Sequence, residues 1–226
     1  MRDGLTPRLA SCAAFVRQDA VFADIGTDHA YLPIFLLKEG IITKGICSDI
    51  NEGPLSKAKE NAEANGLLDK LEFLLCDGAA ELSDFGATDY AICGMGGELI
   101  AEIISRAPHL KNESLNLILQ PMTRQAHLRQ FLSSEGFDIL FESYSAEGEK
   151  MYVSFLVKYT GKKRKMDIAE AEICAKNAKI VNKDLQLSYI KAKIRAYEQM
   201  IDGKKRGNVD FATEEMICAE MKAYIK

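Results

Sequence analysis

Short apolar runs alternate with stretches of helical periodicity along the first 160 residues of this 226-residue chain. Leu5, Leu9, Cys12 and Val16 recur at helical spacing and predict a short amphipathic helix, with Thr6-Pro7 as cap and first turn. Val21–Asp24, Lys44–Asp49, Lys70–Cys76, Asp89–Cys93 and Leu115–Gln120 read as buried strands. Helices are expected between them, over Ala30–Glu39, Pro54–Asn65 and Glu98–Arg106, and then over Thr123–Ser134, with Thr123 as a cap and Pro121 as a strand stop. Phe137–Ser143 and Met151–Tyr159 alternate without a helix between them, so they predict a closing antiparallel pair. This order specifies an α/β fold, a doubly wound, mostly parallel sheet with an antiparallel edge.

The pattern then changes. Gly161-Lys-Lys-Arg-Lys165 reads as a linker. Beyond it Met166, Ile173, Ile180, Leu187, Ile194 and Ile201 recur every seventh residue, with Ile190 and Tyr197 as a second row. That spacing predicts one long helix with a coiled-coil-like seam, broken at Gly203–Asn208 and followed by a short helix from Thr213. The expected organisation is a sheet domain over residues 1–160 and a helical hairpin over 161–226.

Charge sharpens that division. The chain carries −4 overall, but residues 1–160 hold −9 and residues 161–226 hold +5. An acidic body with a basic tail points to a polyanion touching the tail, although Lys-rich solvated helices are common. Lys162, Lys163, Arg164, Lys165, Lys204, Lys205 and Arg206 are the expected phosphate contacts. No run approaches the ~20 apolar residues of a membrane span, and Met1-Arg-Asp-Gly is no secretory leader, so the expected compartment is the cytoplasm. Six scattered cysteines without a C-x-x-C pair, and three histidines at no ligand spacing, argue against a bound metal.

Three of the first four strands end in acids, Asp24, Asp49 and Asp77, and the fourth in Gly94. Each Asp alone reads equally as a turn residue; together they suggest a ligand crevice at the strand ends. Asp24-x-Gly26 provides a tight turn for close backbone approach. Asp28 stands where a dinucleotide-binding turn would carry a glycine, and its charge opposes pyrophosphate. A cationic, phosphate-free donor such as S-adenosylmethionine fits better. Asp24, Gly26 and Thr27 would meet its amino-acid part, Asp49, Ile50 and Asn51 the ribose, Asp77 and Gly78 the adenine, and Gly94 the methyl group. Methyl transfer to a ring nitrogen needs alignment more than acid–base help, and a nearby carboxylate stabilises the cation that forms. Asp28 is the candidate for that role. His29 and Tyr31 are candidates to position or stack on the base, with His29 equally a contact to the donor. Gly94-Met95-Gly96-Gly97 and Gln120-Pro121 are candidate pocket walls.

Ala23–Pro33, Asp49–Pro54, Gly94–Gly97, Leu119–Pro121 and Gly148–Tyr152 together resemble the bacterial tRNA (adenine-22-N1)-methyltransferases. The resemblance implies a class I Rossmann-like methyltransferase domain joined to a helical coiled-coil-like domain. It implies S-adenosylmethionine as cofactor and N1 of adenosine 22 in tRNA as acceptor, a base that must leave its stack to react. It adds Arg8, in Leu5-x-x-Arg8-Leu9, at the border of the cofactor pocket; here Glu149 intervenes between Gly148 and Lys150. The competing readings are a small-molecule or other-RNA methyltransferase of the same fold, a nicotinamide-dependent oxidoreductase, and a scaffold that pairs through its heptad helix. The seam could serve an intramolecular hairpin or a second chain; a monomer is the slightly favoured expectation.

Overall fold

The computed structural model describes residues 4–226. Helix α1 (Pro7–Ala13) starts as expected, with the Thr6 hydroxyl accepting the Leu9 N–H and Pro7 in the first turn. There follow β1 (Ala20–Ile25), α2 (Tyr31–Lys38), β2 (Ile42–Asp49), α3 (Glu52–Ala64), β3 (Leu71–Leu75), β4 (Asp89–Gly96), α4 (Gly97–Arg106), β5 (Asn116–Thr123), α5 (Gln125–Glu135), β6 (Phe137–Glu147) and β7 (Lys150–Tyr159). Helix α6 (Ile168–Ile173), strand β8 (Lys179–Ile180) and helices α7 (Lys183–Arg206) and α8 (Ala212–Tyr224) complete the chain.

The eight strands form one sheet in the order β3-β2-β1-β4-β5-β7-β6-β8. The first five are parallel, and β7 runs antiparallel to both β5 and β6. Helices α1, α2 and α3 cover one face, where Cys12, Phe22, Leu36 and Ala62 are buried. Helices α4 to α8 cover the other, around Ile100, Leu128, Phe155, Tyr189 and Ile194. The strand order reverses between β1 and β4, which opens a crevice at the carboxyl ends of those two strands.

Four sequence expectations need correction. Pro121 does not stop β5; it lies beyond the last β5–β7 pair, Leu119 with Phe155, where the strand has a neighbour on one side only and proline is tolerated. Strand β4 likewise continues through Gly94-Met95-Gly96, with register shifts against β5, so this stretch is a bulged strand rather than a loop. Thr123 does not cap α5; Arg124 holds the N-cap position at φ 56° without a side-chain bond.

The fourth correction concerns the tail. The seven-residue repeat is not one helix. Met166 precedes α6, Ile173 ends it, and Ile180 sits in β8, which pairs with β6. Asp167 caps α6 by accepting the Glu170 N–H at 2.7 Å. Only Leu187, Ile194 and Ile201 lie on α7, which runs through Gly203 to Arg206 before α8 folds back on it. The period was coincidental because apolar residues needed by three different elements fell on one spacing.

A buried ion pair joins residues beyond 160 to the sheet. Arg129 of α5 and Glu142 of β6 are fully buried and make a bidentate pair at 2.9 and 2.8 Å. The third arm of Arg129 donates to the carbonyl of Ala171 at 2.7 Å, and Glu142 accepts from the Ala175 N–H at 3.0 Å and the Tyr144 hydroxyl at 2.6 Å. Burial, and then the Glu142 charge, push the Tyr144 phenol well above its ordinary range. Changing Glu142 to Gln should destabilise the protein by about 3–5 kcal/mol, because a guanidinium is left buried without its counter-charge. Urea unfolding would measure that loss, and a second change of Arg129 to Met in the same chain should recover much of it.

Candidate active site

The crevice at the β1/β4 switch point is a cavity of about 360 Å³. It is lined by Thr6, Arg8 and Leu9 of α1, by Asp24, Gly26 and Asp28–Leu32 after β1, and by Cys93, Gly94 and Met95 of β4. A larger cavity of about 600 Å³ lies between α6, β8 and α8. It touches none of the strand-end acids, and Asp24 lines the smaller one.

The turn after β1 is tied down by its neighbours. The Gly26 and Thr27 N–H groups both donate to the Ser48 carbonyl, at 2.8 and 2.9 Å, which locks the turn to β2. Gly26 has φ 72°, the left-handed conformation that favours glycine, and the Met95 methyl fills the space a side chain there would take. Asp24 is buried, and its carboxylate accepts the Thr27 hydroxyl at 2.6 Å. Burial pushes the Asp24 acid up to about 6. The Asp49 charge adds to that rise, which places the two acids within electrostatic reach of one another. Asp49 also accepts the Asn51 N–H at 2.8 Å, closing a turn that leaves Ile50 exposed.

On the other side, Gly94 has φ 79° and donates its N–H to the Gln120 side-chain oxygen at 3.1 Å. The same oxygen accepts from Arg8 at 2.7 Å. Gln120 is fully buried and stands behind the pocket, holding Gly94 and Arg8 in place. Arg8 donates its backbone N–H to Glu147 at 2.9 Å, and its guanidinium lies 5.8 Å from the centre of the Tyr152 ring. Glu147 and Cys93 carry no local motif. They reach the site through tertiary folding, which periodicity cannot reveal.

At the mouth, the Tyr31 ring stacks on His29 with centroids 5.0 Å apart and planes 22° from parallel, and Tyr31 is half exposed. Asp28 is more exposed still, with its carboxylate 3.7 Å from the His29 Nε2. Ala30, at φ 53°, turns the chain from this platform into α2.

Several expected residues stand outside the cavity. Asp77 is bound bidentately by Arg106 at 2.6 and 3.1 Å, and a side chain at Gly78 would press on Ile103. Gly96 and Gly97 pack β4 closely on β5; a side chain at 97 would lie 2.5 Å from the Arg124 carbonyl. Pro121 continues β5 beside them. Among the basic residues, Lys162–Lys165 follow β7, which runs antiparallel to β5 and so finishes at the amino ends of the parallel strands, away from the strand-end acids. Lys162, Lys163 and Lys165 are exposed there, but Arg164 is committed to Glu170 at 2.7 Å. Lys204 pairs with Glu214 at 2.7 Å, while Lys205 and Arg206 are exposed at the end of α7. No helix among the described residues is long and apolar enough to cross a membrane.

A mostly parallel sheet with a buried acid and positive-φ glycines at its switch point is the frame of a class I methyltransferase, and residues 5–155 match the family model described as a methyltransferase domain. The chain is 34% identical over 148 residues to the tRNA (adenine(22)-N(1))-methyltransferase of Bacillus subtilis (strain 168), covering 66% of this chain and 62% of that one. The match therefore spans less than two thirds of that relative. The structure superposes at a TM-score of 0.82 on M. capricolum TrmK bound to S-adenosyl-homocysteine, 26% identical, covering 98% of each chain. It also superposes at 0.84 on a Streptococcus pneumoniae candidate tRNA (m1A22) methyltransferase bound to S-adenosyl-L-methionine, 29% identical, covering 98% of this chain and all of that one. The chain belongs to the methyltransferase-domain family that the matching family model describes.

The raised Asp24 acid has two opposite consequences. The folded chain holds that proton up to about pH 6, whereas the unfolded chain releases it near the ordinary value of 3.8. Folding is therefore favoured most below that value, and this contribution is lost as pH rises to about 6, leaving a penalty of about 3 kcal/mol at neutral pH. Changing Asp24 to Asn should raise stability in urea unfolding at pH 7.5 but leave it nearly unchanged at pH 4. The same change should weaken S-adenosylmethionine binding in calorimetry, and binding to the unmodified protein should fall as pH drops through about 6.

Proposed function

We propose that this protein transfers a methyl group from S-adenosylmethionine to N1 of adenosine 22 in tRNA, as a monomer in the cytoplasm. One observation carries the reading: a buried carboxylate and two positive-φ glycines meet at the switch point of a chain from this family. The residues present fit the donor. Asp24, ionised at neutral pH, suits its ammonium; Asp49 suits its ribose hydroxyls; Gly26 and Gly94 admit close backbone approach. When bound, the donor supplies an activated sulfonium methyl group.

The chain's own residues do the rest by placement. The stacked His29 and Tyr31 rings offer a flat platform on which a planar base extruded from the tRNA core can lie. Asp28, beside them at the mouth, stabilises the positive charge that N1-methylation leaves on the ring. Arg8, held by Gln120 and Glu147, closes the side of the pocket formed by α1. No proton has to be removed from the acceptor, because adenine N1 presents a lone pair. Alignment and water exclusion supply the rate.

In the assignment of residues 161–226 to tRNA contact, Lys162, Lys163, Lys165, Lys205 and Arg206 anchor phosphates, with Arg164 and Lys204 chiefly structural through their acidic partners. Monomeric action is supported by Ile190, Ile194 and Ile201, which are buried within the single chain.

Incubating total tRNA with labelled donor, then mapping the modified nucleoside, should yield 1-methyladenosine at position 22; any other product would overturn the substrate. Replacing Lys162, Lys163, Lys165, Lys205 and Arg206 with Ala should weaken tRNA binding and flatten its salt dependence, since each lost phosphate contact lowers the slope by about one. Calorimetric donor affinity should stay the same. Unchanged tRNA affinity at low salt would remove these residues from the interface.

A further inference from the structure

Helix α1 forms one wall of the donor pocket, yet the layer beneath it is polar. Ser11 and Ser154 share a hydrogen bond of 2.7 Å, and Ser145 is buried with its hydroxyl unpartnered. Two free thiols meet in this layer. Cys12 of α1 is fully buried, and Cys93 of β4 lines the pocket. The Cys93 thiol donates to the Cys12 sulfur at 3.6 Å, and Cys12 in turn contacts the Ser154 hydroxyl at 3.4 Å. The methyl-transfer reading uses neither sulfur.

We infer that Cys12 and Cys93 are an oxidation site, at which a peroxide reaching the empty donor pocket converts the two thiols to a disulfide that disables donor binding. The inference rests on the donor assignment above. The hydrogen bond to Cys12 and burial push the Cys93 thiol well above its ordinary range, so in the first step Cys93 passes its proton to the Cys12 sulfur it already donates to and attacks one peroxide oxygen. The O–O bond breaks, Cys93 becomes a sulfenic acid, and the other oxygen leaves as water after taking a proton. In the second step the Cys12 thiolate attacks the Cys93 sulfur, the S–O bond breaks, and a second water leaves. Two thiols have then lost two electrons and two protons, and the peroxide has taken them up. The Cys93 hydrogen bond, with smaller help from Ser154 and the Arg8 charge, holds the Cys12 thiol below its ordinary range, which suits it to the second step.

The sulfurs must close from 3.6 Å to a covalent separation of about 2.05 Å, so α1 is drawn toward β4. Arg8 lies one helical turn before Cys12 and shares the Gln120 oxygen with the Gly94 N–H. A displacement of α1 therefore reaches both sides of the donor pocket. A disulfide here suits a transient sensor rather than a structural staple, because only one of its sulfurs faces the pocket.

The test treats the full-length protein with hydrogen peroxide, with and without saturating S-adenosylmethionine, and maps cysteine states by peptide mass spectrometry. The expected result is a Cys12–Cys93 cross-linked peptide that forms slowly when donor is present and disappears on thiol reduction. Calorimetry should show the oxidised protein binding S-adenosylmethionine roughly tenfold or more weakly, with full recovery after reduction. The Cys12→Ser variant should form no cross-link and should carry Cys93 on to sulfinic acid. The proposal fails if Cys93 oxidises without cross-linking to Cys12 in the wild-type chain. It fails equally if the cross-link forms and donor affinity does not change. Absence of donor binding by the reduced wild-type protein would instead defeat the donor assignment, a result the cross-link map reads independently.

Discussion

The buried pair of Arg129 and Glu142 is the interaction on which the rest of this architecture depends. Two fully desolvated charges are tolerable only when nearly every donor and acceptor is met. Here α5 and β6 supply the charges, and the carbonyl of Ala171, the N–H of Ala175 and the Tyr144 hydroxyl supply the remaining partners. The consequence is geometric. The segment after residue 160 cannot leave the sheet without opening this pair to solvent and removing the Ala171 carbonyl and Ala175 N–H that satisfy it, so α6 and β8 are part of the body. Asn182 then grips both backbone groups of Tyr144, and α7 departs from a fixed point.

The same logic, in weaker form, shapes the active site. Asp24 is held in a place where its charge is costly, with only the Thr27 hydroxyl to offset it. A site complementary to a cation is expected to look this way before the cation arrives: the protein accepts strain in the free state that binding relieves. Gln120 has the converse role. It is neutral and buried, and it satisfies two donors from two different elements with one oxygen. That economy makes the wall formed by α1 and β4 a single mechanical unit.

The architecture also separates two tasks. Acids and glycines gather at the carboxyl ends of the parallel strands, while the exposed lysines after β7 follow it at the amino ends of those strands. A polyanion that used both regions would have to wrap along the antiparallel side of the molecule. The −9 charge of residues 1–160 disfavours close phosphate contact over the body itself, whereas residues 161–226 carry +5.

What the chain determined by itself was whatever rests on local periodicity and turn chemistry. Buried parallel strands read as apolar runs, α1 is announced by Thr6-Pro7, and Asp24-x-Gly26 marks the first ligand turn because a sharp strand-to-helix turn needs those residues in that order. Asp28, His29 and Tyr31 line the cavity because they follow that turn directly in the chain. Tertiary structure alone decided the rest. That Asp77 pairs with Arg106, 29 residues on in the chain, was decided by folding alone. Gly96 and Gly97 looked like an open loop until β5 was laid beside them. The seven-residue repeat through Met166, Ile173 and Ile180 suggested one helix, because spacing records that residues are buried but not what buries them. Arg129 and Glu142 carried no signal at all, since the worth of a buried charge lies wholly in a partner that folding supplies.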